Sequence, residues 1–304
     1  MKQILRYFLI TISFVGVSMA SFAQRVKVHG ALGGSAYYGD LVQGAPILKQ
    51  VSPALSLGGS YDFTAQLRGR LNISFLGISG DDKDNKDIRL QERNLDFKSF
   101  IWEVSAAAEF DFLNTAEEYS MTPYVFAGPS LFHFNPYTID RFGEKQKLQK
   151  WGTEGQGLAS YPDRKPYSLT QINIAYGGGF RYDLNDELSI GAEICIRKTF
   201  TDYLDDVSHN DYVDPATFAA EGNAYSALLS YRGDEQPVGK AFRGTTMPRG
   251  NEKSKDMFYT FQLKLVYKLV NLDWGGPLGF YGGGGGGRGG NGGGSRVRNP
   301  RSVL

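Results

Sequence analysis

The stretch "LSIGAEICIRKTFTDYLDDVS" (188–208) sets the terms for the whole chain. Ile190, Ala192, Ile194 and Ile196 alternate with Gly191, Glu193, Cys195 and Arg197, so an extended ribbon has one apolar face and one charged face. A soluble sheet buries its apolar face, whereas a barrel in a membrane turns that face to lipid and keeps the charges inside. On the second reading the strand leaves the membrane near Phe200 or Tyr203. Asp202, Asp205 and Asp206 then sit in water at the outer rim.

The same alternation recurs in seven further segments. Val26, Val28 and Leu32 oppose Lys27 and His29, and Leu55, Leu57, Tyr61 and Phe63 oppose Ser56, Ser60 and Asp62. Residues 67–75 set Leu67, Leu71, Ile73 and Phe75 against Arg68, Arg70, Asn72 and Ser74. Residues 100–112 set Phe100, Trp102, Val104, Phe110 and Phe112 against Glu103, Ser105, Glu109 and Asp111. Residues 124–134 are noisier, with Pro129 predicting a distortion. Segments 170–184 and 257–269 complete the set. Short turns fall near 64–65, 114–121 and 185–187, and long polar loops at about 39–53, 80–96, 135–168 and 201–256. This rhythm predicts an all-β fold, an eight-stranded antiparallel up-and-down transmembrane β-barrel with short periplasmic turns and long extracellular loops. A soluble sandwich also alternates, but it does not account for the short–long rhythm or for aromatics at both strand ends. Lys98 and Lys198 share the lipid-facing parity, at strand ends where a lysine reaches the interface.

The termini agree with that compartment. Lys2 and Arg6, an apolar run and "SMASFAQ" form a signal peptide over 1–23, with Ser21 and Ala23 at the cleavage site and Gln24 opening the mature chain. Losing Lys2 and Arg6 takes the formal charge from +1 to −1, which leaves no basic bias towards nucleic acid. The single Cys195 excludes an intramolecular disulfide framework and a thiolate metal cluster. The barrel spans 24–269, and 270–304 is a Gly/Arg-rich flexible tail, periplasmic because an even strand number returns both termini to one side.

The inward parity collects Lys27, Arg68, Arg70, Arg181, Arg197, Lys264 and Lys268 against Asp62, Glu103, Glu109, Asp111, Asp183 and Glu193. In a lumen too narrow to hydrate them, these charges are expected to pair, closing the barrel to solutes. Arg68 and Arg70 lie level with Glu109 and Asp111, and Lys264 lies level with Glu193. Sites of chemistry are sparse. His29, His133 and His209 are scattered, and Asp206 with His209 is too generic a spacing for an omptin-like surface protease. The acids at 202, 205 and 206 lack the regular spacing of a calcium loop. No enzyme activity, cofactor, metal or small-molecule substrate is expected.

Three stretches, "GGSAYYGDL" (33–41), "RYDLNDELSIGAEICIRKTFTDYLDDVS" (181–208) and "RGNEKSKDMFYTFQLKLVYKL" (249–269), resemble the PorG-like outer-membrane proteins of the type IX secretion system. The resemblance implies a structural, non-enzymatic barrel in outer-membrane lipid. It implies association with a periplasmic ring of a lipoprotein and its partner protein, and a need for the barrel in cargo export. The turns at 64–65 and 185–187 are too small for an interface of about 800 Å² per partner. Contact is therefore expected through 114–121, with Thr115, Glu117, Glu118 and Tyr119, the adjoining rim, and the tail as a tether. The competing expectation is a small adhesin or opacity-type barrel that binds extracellular ligands through its long loops.

Overall fold

Each two-faced ribbon has an unpaired edge until it finds a neighbour, and the chain removes every edge by closing the sheet. In the computed structural model, which describes residues 26–42, 48–113, 121–236, 242 and 249–269, strands β1 (Val26–Tyr38), β2 (Ser52–Asp62), β3 (Leu67–Asp81), β4 (Asp96–Asp111) and β5 (Met121–His133) follow one another. A small hairpin of β6 (Tyr137–Ile139) and β7 (Lys145–Lys147) precedes β8 (Thr170–Asp183), β9 (Leu188–Thr199) and β10 (Met257–Lys268). Leaving out the hairpin, each strand pairs antiparallel with the next, and β10 pairs with β1 through Gly30 opposite Leu265. The result is a closed, eight-stranded up-and-down barrel. The signal peptide at 1–23, the tail at 270–304 and Thr115, Glu117, Glu118 and Tyr119 lie outside the described residues.

The two described short turns are built alike. Phe63 and Thr64 donate backbone N–H to Leu67 O, while Thr64 Oγ1 accepts from Leu67 N at 2.9 Å. Leu184 and Asn185 donate to Leu188 O, while Asn185 Oδ1 accepts from Leu188 N at 2.8 Å. In each, a side-chain oxygen takes the place of a backbone acceptor and lets the strand reverse within a few residues. All the long connections, 39–51, 82–95, 134–169 and 200–256, leave from the other end. They carry the short helices α1 (Ile88–Arg93), α2 (Pro215–Ala220) and α3 (Ala224–Ser230).

The outer wall is apolar and exposed, with Leu32 66%, Leu71 65% and Leu263 65% accessible. Such a continuous belt is stable only against lipid, as in a membrane-spanning barrel. Inside, the wall changes character with height. Towards the short turns it is charged. Towards the long loops, Leu76, Ile78, Phe97, Ile101, Phe132, Phe134 and Phe258 are buried together with Tyr37, Leu204 and Val207. Phe132 and Phe134 face this apolar interior, while Tyr124 and Phe126 are buried in a second, smaller cluster lower in the lumen, which is why residues 124–134 lose their alternation. Pro129 distorts without shifting register. The β4–β5 ladder runs from Ser105–Ser130 to Ala108–Ala127 and is interrupted between them, opposite Gly128 and Pro129.

Ile194 lies mid-strand between Gly178 and Phe261 and is 51% exposed on the lipid wall, whereas Cys195 beside it is buried in the lumen. Ile194→Arg is expected to destabilise the barrel by about 2–4 kcal/mol, and Cys195→Ser only mildly, as measured by reversible unfolding in lipid vesicles. A harmless Ile194→Arg together with a ruinous Cys195→Ser would invert the assigned parity.

Candidate functional site

Two polar assemblies occupy the barrel, one in the lumen and one under the loops. The lumen assembly centres on Glu109. Its Oε1 accepts from Arg68 Nη1 at 2.7 Å and Arg181 Nη1 at 3.3 Å, and its Oε2 accepts from Arg70 Nη1 at 3.0 Å. Arg68 reaches on to Asp111 at 2.9 Å and Asp62 at 2.7 Å, and Lys27 meets Asp62 at 2.8 Å. Arg181 also holds Asp111, at 2.7 Å. Arg70 spans the lumen to grip both oxygens of Glu193 at 2.8 Å, and Lys264 and Tyr124 donate to the same carboxylate. One level nearer the loops, Arg197 pairs with Glu103 at 3.0 Å, and Ser130 and Asn173 complete that carboxylate. Arg70 also lies 3.8 Å over the Phe126 ring, a cation–π contact that fills the section apolar residues would otherwise occupy. Lumen cavities of about 20 and about 10 Å³ leave room for roughly a single water each.

The structure thus brings together Lys27, Asp62, Arg68, Arg70, Glu103, Glu109, Asp111, Arg181, Glu193, Arg197 and Lys264. Two inward-parity charges stand apart. Asp183 is exposed at the short-turn rim, where its carboxylate accepts from Ser189 Oγ at 2.6 Å and lies 3.9 Å from Arg181. Lys268, half-buried at the same rim where β10 ends, donates its backbone N–H to Glu187 O and makes no ion pair among the described residues. Parity gives the side of the wall, but residues at the strand ends lie where water replaces the lumen.

The second assembly corrects an expectation. Asp202, Asp205 and Asp206 are not a solvated rim, being 2%, 2% and 1% exposed. The loops fold over the barrel mouth as a packed cap, and Leu204 and Val207, interleaved with the acids, join its apolar core. Burying these carboxylates requires partners. Asp206 accepts from Tyr167 Oη at 2.7 Å and Thr153 Oγ1 at 2.5 Å, in a left-handed backbone conformation with φ 69° that aspartate tolerates better than most residues. Asp202 accepts from Ser208 Oγ at 2.9 Å. Two arginines tie the loops together. Arg93 makes a paired contact with Asp82 at 2.7 Å and reaches the carbonyls of Asp40 and Arg249, while Arg249 holds Glu154, Thr153 and the Asp206 carbonyl.

Tyr37 closes the assembly. Its hydroxyl lies 2.6 Å from Asp205 Oδ2 and 2.9 Å from Asp256 Oδ1, while the other oxygens accept from Val207 N and Leu204 N. One hydroxyl has one hydrogen, so one of the two carboxyls must itself carry a proton. Burial, together with the neighbouring acids, raises both Asp205 and Asp256 well above the usual carboxylate range. Burial likewise raises Asp206 to about 7 and Asp202 to about 6. Sequence reasoning missed Tyr37, at the end of β1, and Asp40, Arg93, Glu154, Tyr167, Arg249 and Asp256, which lie far apart in the long connections without periodicity. The usable signal was the apolar interleaving in "DYLDDVS", which a wetted rim does not need.

Two outcomes follow. Glu109→Gln leaves three lumen guanidiniums short of charge and is expected to cost about 3–5 kcal/mol in reversible unfolding, whereas Arg89→Ala, at an exposed pair, leaves stability nearly unchanged. The cap should also respond to pH. An aspartate in an unfolded loop titrates near about 4. Because the folded values are higher, the cap retains protons that the unfolded loops have released, and its stability falls as pH rises from about 4 through 7. Protease cleavage within 200–256, at constant ionic strength, should accelerate over that range. Asp206→Asn should flatten the part of the profile near 7, and cleavage that slows with rising pH would contradict the assignment.

Among known structures, the chain is similar to Neisserial surface protein A, at 12% identity and TM-score 0.40 over 80% of this chain and 96% of that one. It is also similar to OprG of Pseudomonas aeruginosa, at 10% identity and TM-score 0.39 over 81% and 96% of the two chains. A third is Ail, the attachment invasion locus protein of Yersinia pestis, at 11% identity and TM-score 0.37 over 80% and 97%. No curated protein matches the sequence. A family model matches residues 4–222, and by it this chain belongs to the family of the domain of unknown function DUF6089.

Proposed function

We propose that this chain is a non-enzymatic outer-membrane barrel serving a protein secretion machine of the type IX kind. In this reading it sits in outer-membrane lipid with its termini in the periplasm and associates there with a ring lipoprotein and its partner protein. The observation that carries the reading is where the three family-like stretches meet. Tyr37 belongs to the first, Asp205 to the second and Asp256 to the third, and all three join at one hydroxyl. Asp40 of the first also accepts from Asn251 N of the third at 3.0 Å. The likeness to the PorG-like proteins therefore falls on residues that build one assembly and not on scattered strand positions. A lumen filled with ion pairs leaves cargo no route through this barrel, so its part in export would be to anchor or organise other components.

The test joins a clean deletion with crosslinking. Loss of a set of exported proteins on deletion, with capture of a periplasmic lipoprotein from cysteines introduced at Thr115 or Tyr119 in a Cys195→Ser background, is the expected result. Asn85, at the loop end, serves as the comparison site. Unchanged export, with ligand capture only from Asn85, would instead support an adhesin or opacity-type barrel acting through its loops.

A further inference from the structure

We propose that His209, Asp211 and Glu252 form a binding site for one divalent transition-metal ion, with the preferences of zinc, on the outside of the cap. One donor atom from each of the three side chains lies within 4.8 Å of the others. His209 Nδ1 is 2.8 Å from Glu252 Oε1, across 43 positions of sequence. No other group of three or more histidine, cysteine or acidic side chains among the described residues converges in this way.

The convergence is built in from beneath. Arg249 N donates to Asn210 O at 2.8 Å and Gly250 N donates to His209 O at 2.9 Å, so the two limbs run side by side as a short ladder. Buried Glu154 clamps both limbs, accepting from the backbone N–H of Ser208 and His209 and from the Arg249 guanidinium. Arg164 fixes the third ligand by donating to both oxygens of Asp211, at 2.9 and 2.8 Å. The backbone and the Asp211 carboxylate are thus ordered without an ion, while all three ligating side chains keep some access to solvent.

The donor set selects the ion. Calcium takes six to eight oxygens and magnesium keeps most of its waters, so an imidazole with two carboxylates suits neither. Three protein ligands with one open position is a familiar arrangement for zinc. Tetrahedral bonds of about 2.0–2.1 Å place donors roughly 3.3 Å apart, so the ion would push His209 and Glu252 about half an ångström further apart than they are now. Both have exposed surface and can move that far. With a neutral imidazole, Asp211, Glu252 and Arg164 sum to one negative charge, which still attracts a dication, though Arg164 lowers the affinity. The ion would replace the His209–Glu252 hydrogen bond and tie the limb at 209–211 to the limb at 252. These limbs bracket the excursion containing α2 and α3.

The experiment uses the full mature chain, refolded in detergent, stripped with a chelator and freed of any histidine tag. Zinc is titrated by calorimetry, with calcium and magnesium as parallel probes. Uptake of one equivalent of zinc at pH 7.5, loss of that uptake at pH 5.5, and no comparable response to calcium or magnesium are expected. His209→Ala and Glu252→Gln should each weaken binding by at least about tenfold, and His133→Ala should leave it unchanged. Heat-modifiable gel migration identifies folded variants, and Asp211→Asn substitutes for any of the first two that fails to fold. Zinc should also slow protease cleavage within 200–256 in the parent but not in His209→Ala. Absence of zinc uptake, undiminished uptake by folded His209→Ala, or equal binding of calcium would each overturn the proposal.

Discussion

Closing eight strands leaves an interior about as wide as the side chains that line it, and the rest of the structure depends on that constraint. Any charge pointing inward has almost no water to solvate it and must find an opposite charge across the lumen. Glu109 with Arg68, Arg70 and Arg181 is the tightest expression of this, because one carboxylate on β4 serves three arginines on two other strands, β3 and β8. Arg70 carries the connection across to Glu193 on β9. An arginine is suited to these positions because its planar fork can hold two acids or stack on a ring without losing its charge.

The same constraint is met differently nearer the long loops. There the inner wall is apolar, and the loops fold down to bury Leu204, Val207 and Leu229 against it. Loop backbone and loop acids are drawn out of water in the process, so the cap must supply their hydrogen bonds. Arg93 and Arg249 answer much of that demand, Thr153, Tyr167 and Ser208 donate to the loop acids, and Tyr37 bridges two carboxyls. The lumen is therefore held by matched charges, and the cap by buried arginine ion pairs together with hydrogen bonds to carboxyls that retain protons.

A sealed lumen narrows what such a barrel does. Its usable surfaces are the lipid wall, the short-turn rim and the outside of the cap. Tyr37, Asp205 and Asp256, from three distant stretches of the chain, converge inside the cap, where they maintain the fold. A cap that is folded instead of extended also bears on the adhesin alternative. Ligands would meet an ordered surface, with less entropy lost on binding than when mobile loops become ordered.

The sequence by itself determined the strands of the barrel, the side of the wall each residue faces, the end carrying long loops and the inward charges, of which Asp183 and Lys268 at the rim proved to stand outside the paired network. These follow from the period of two and from the sign of each side chain, which are local properties. It was silent where both faces are apolar, as at Phe126 and Phe132, and it misplaced Asp202, Asp205 and Asp206. Only the tertiary structure decided that Glu109 takes three arginines, that Tyr37 meets Asp205 and Asp256, and that His209 lies against Glu252. Those partners are separated by tens to hundreds of residues and joined by loops without periodicity. Barrel closure and the packing of the cap bring them together, and neither leaves a repeating pattern along the chain.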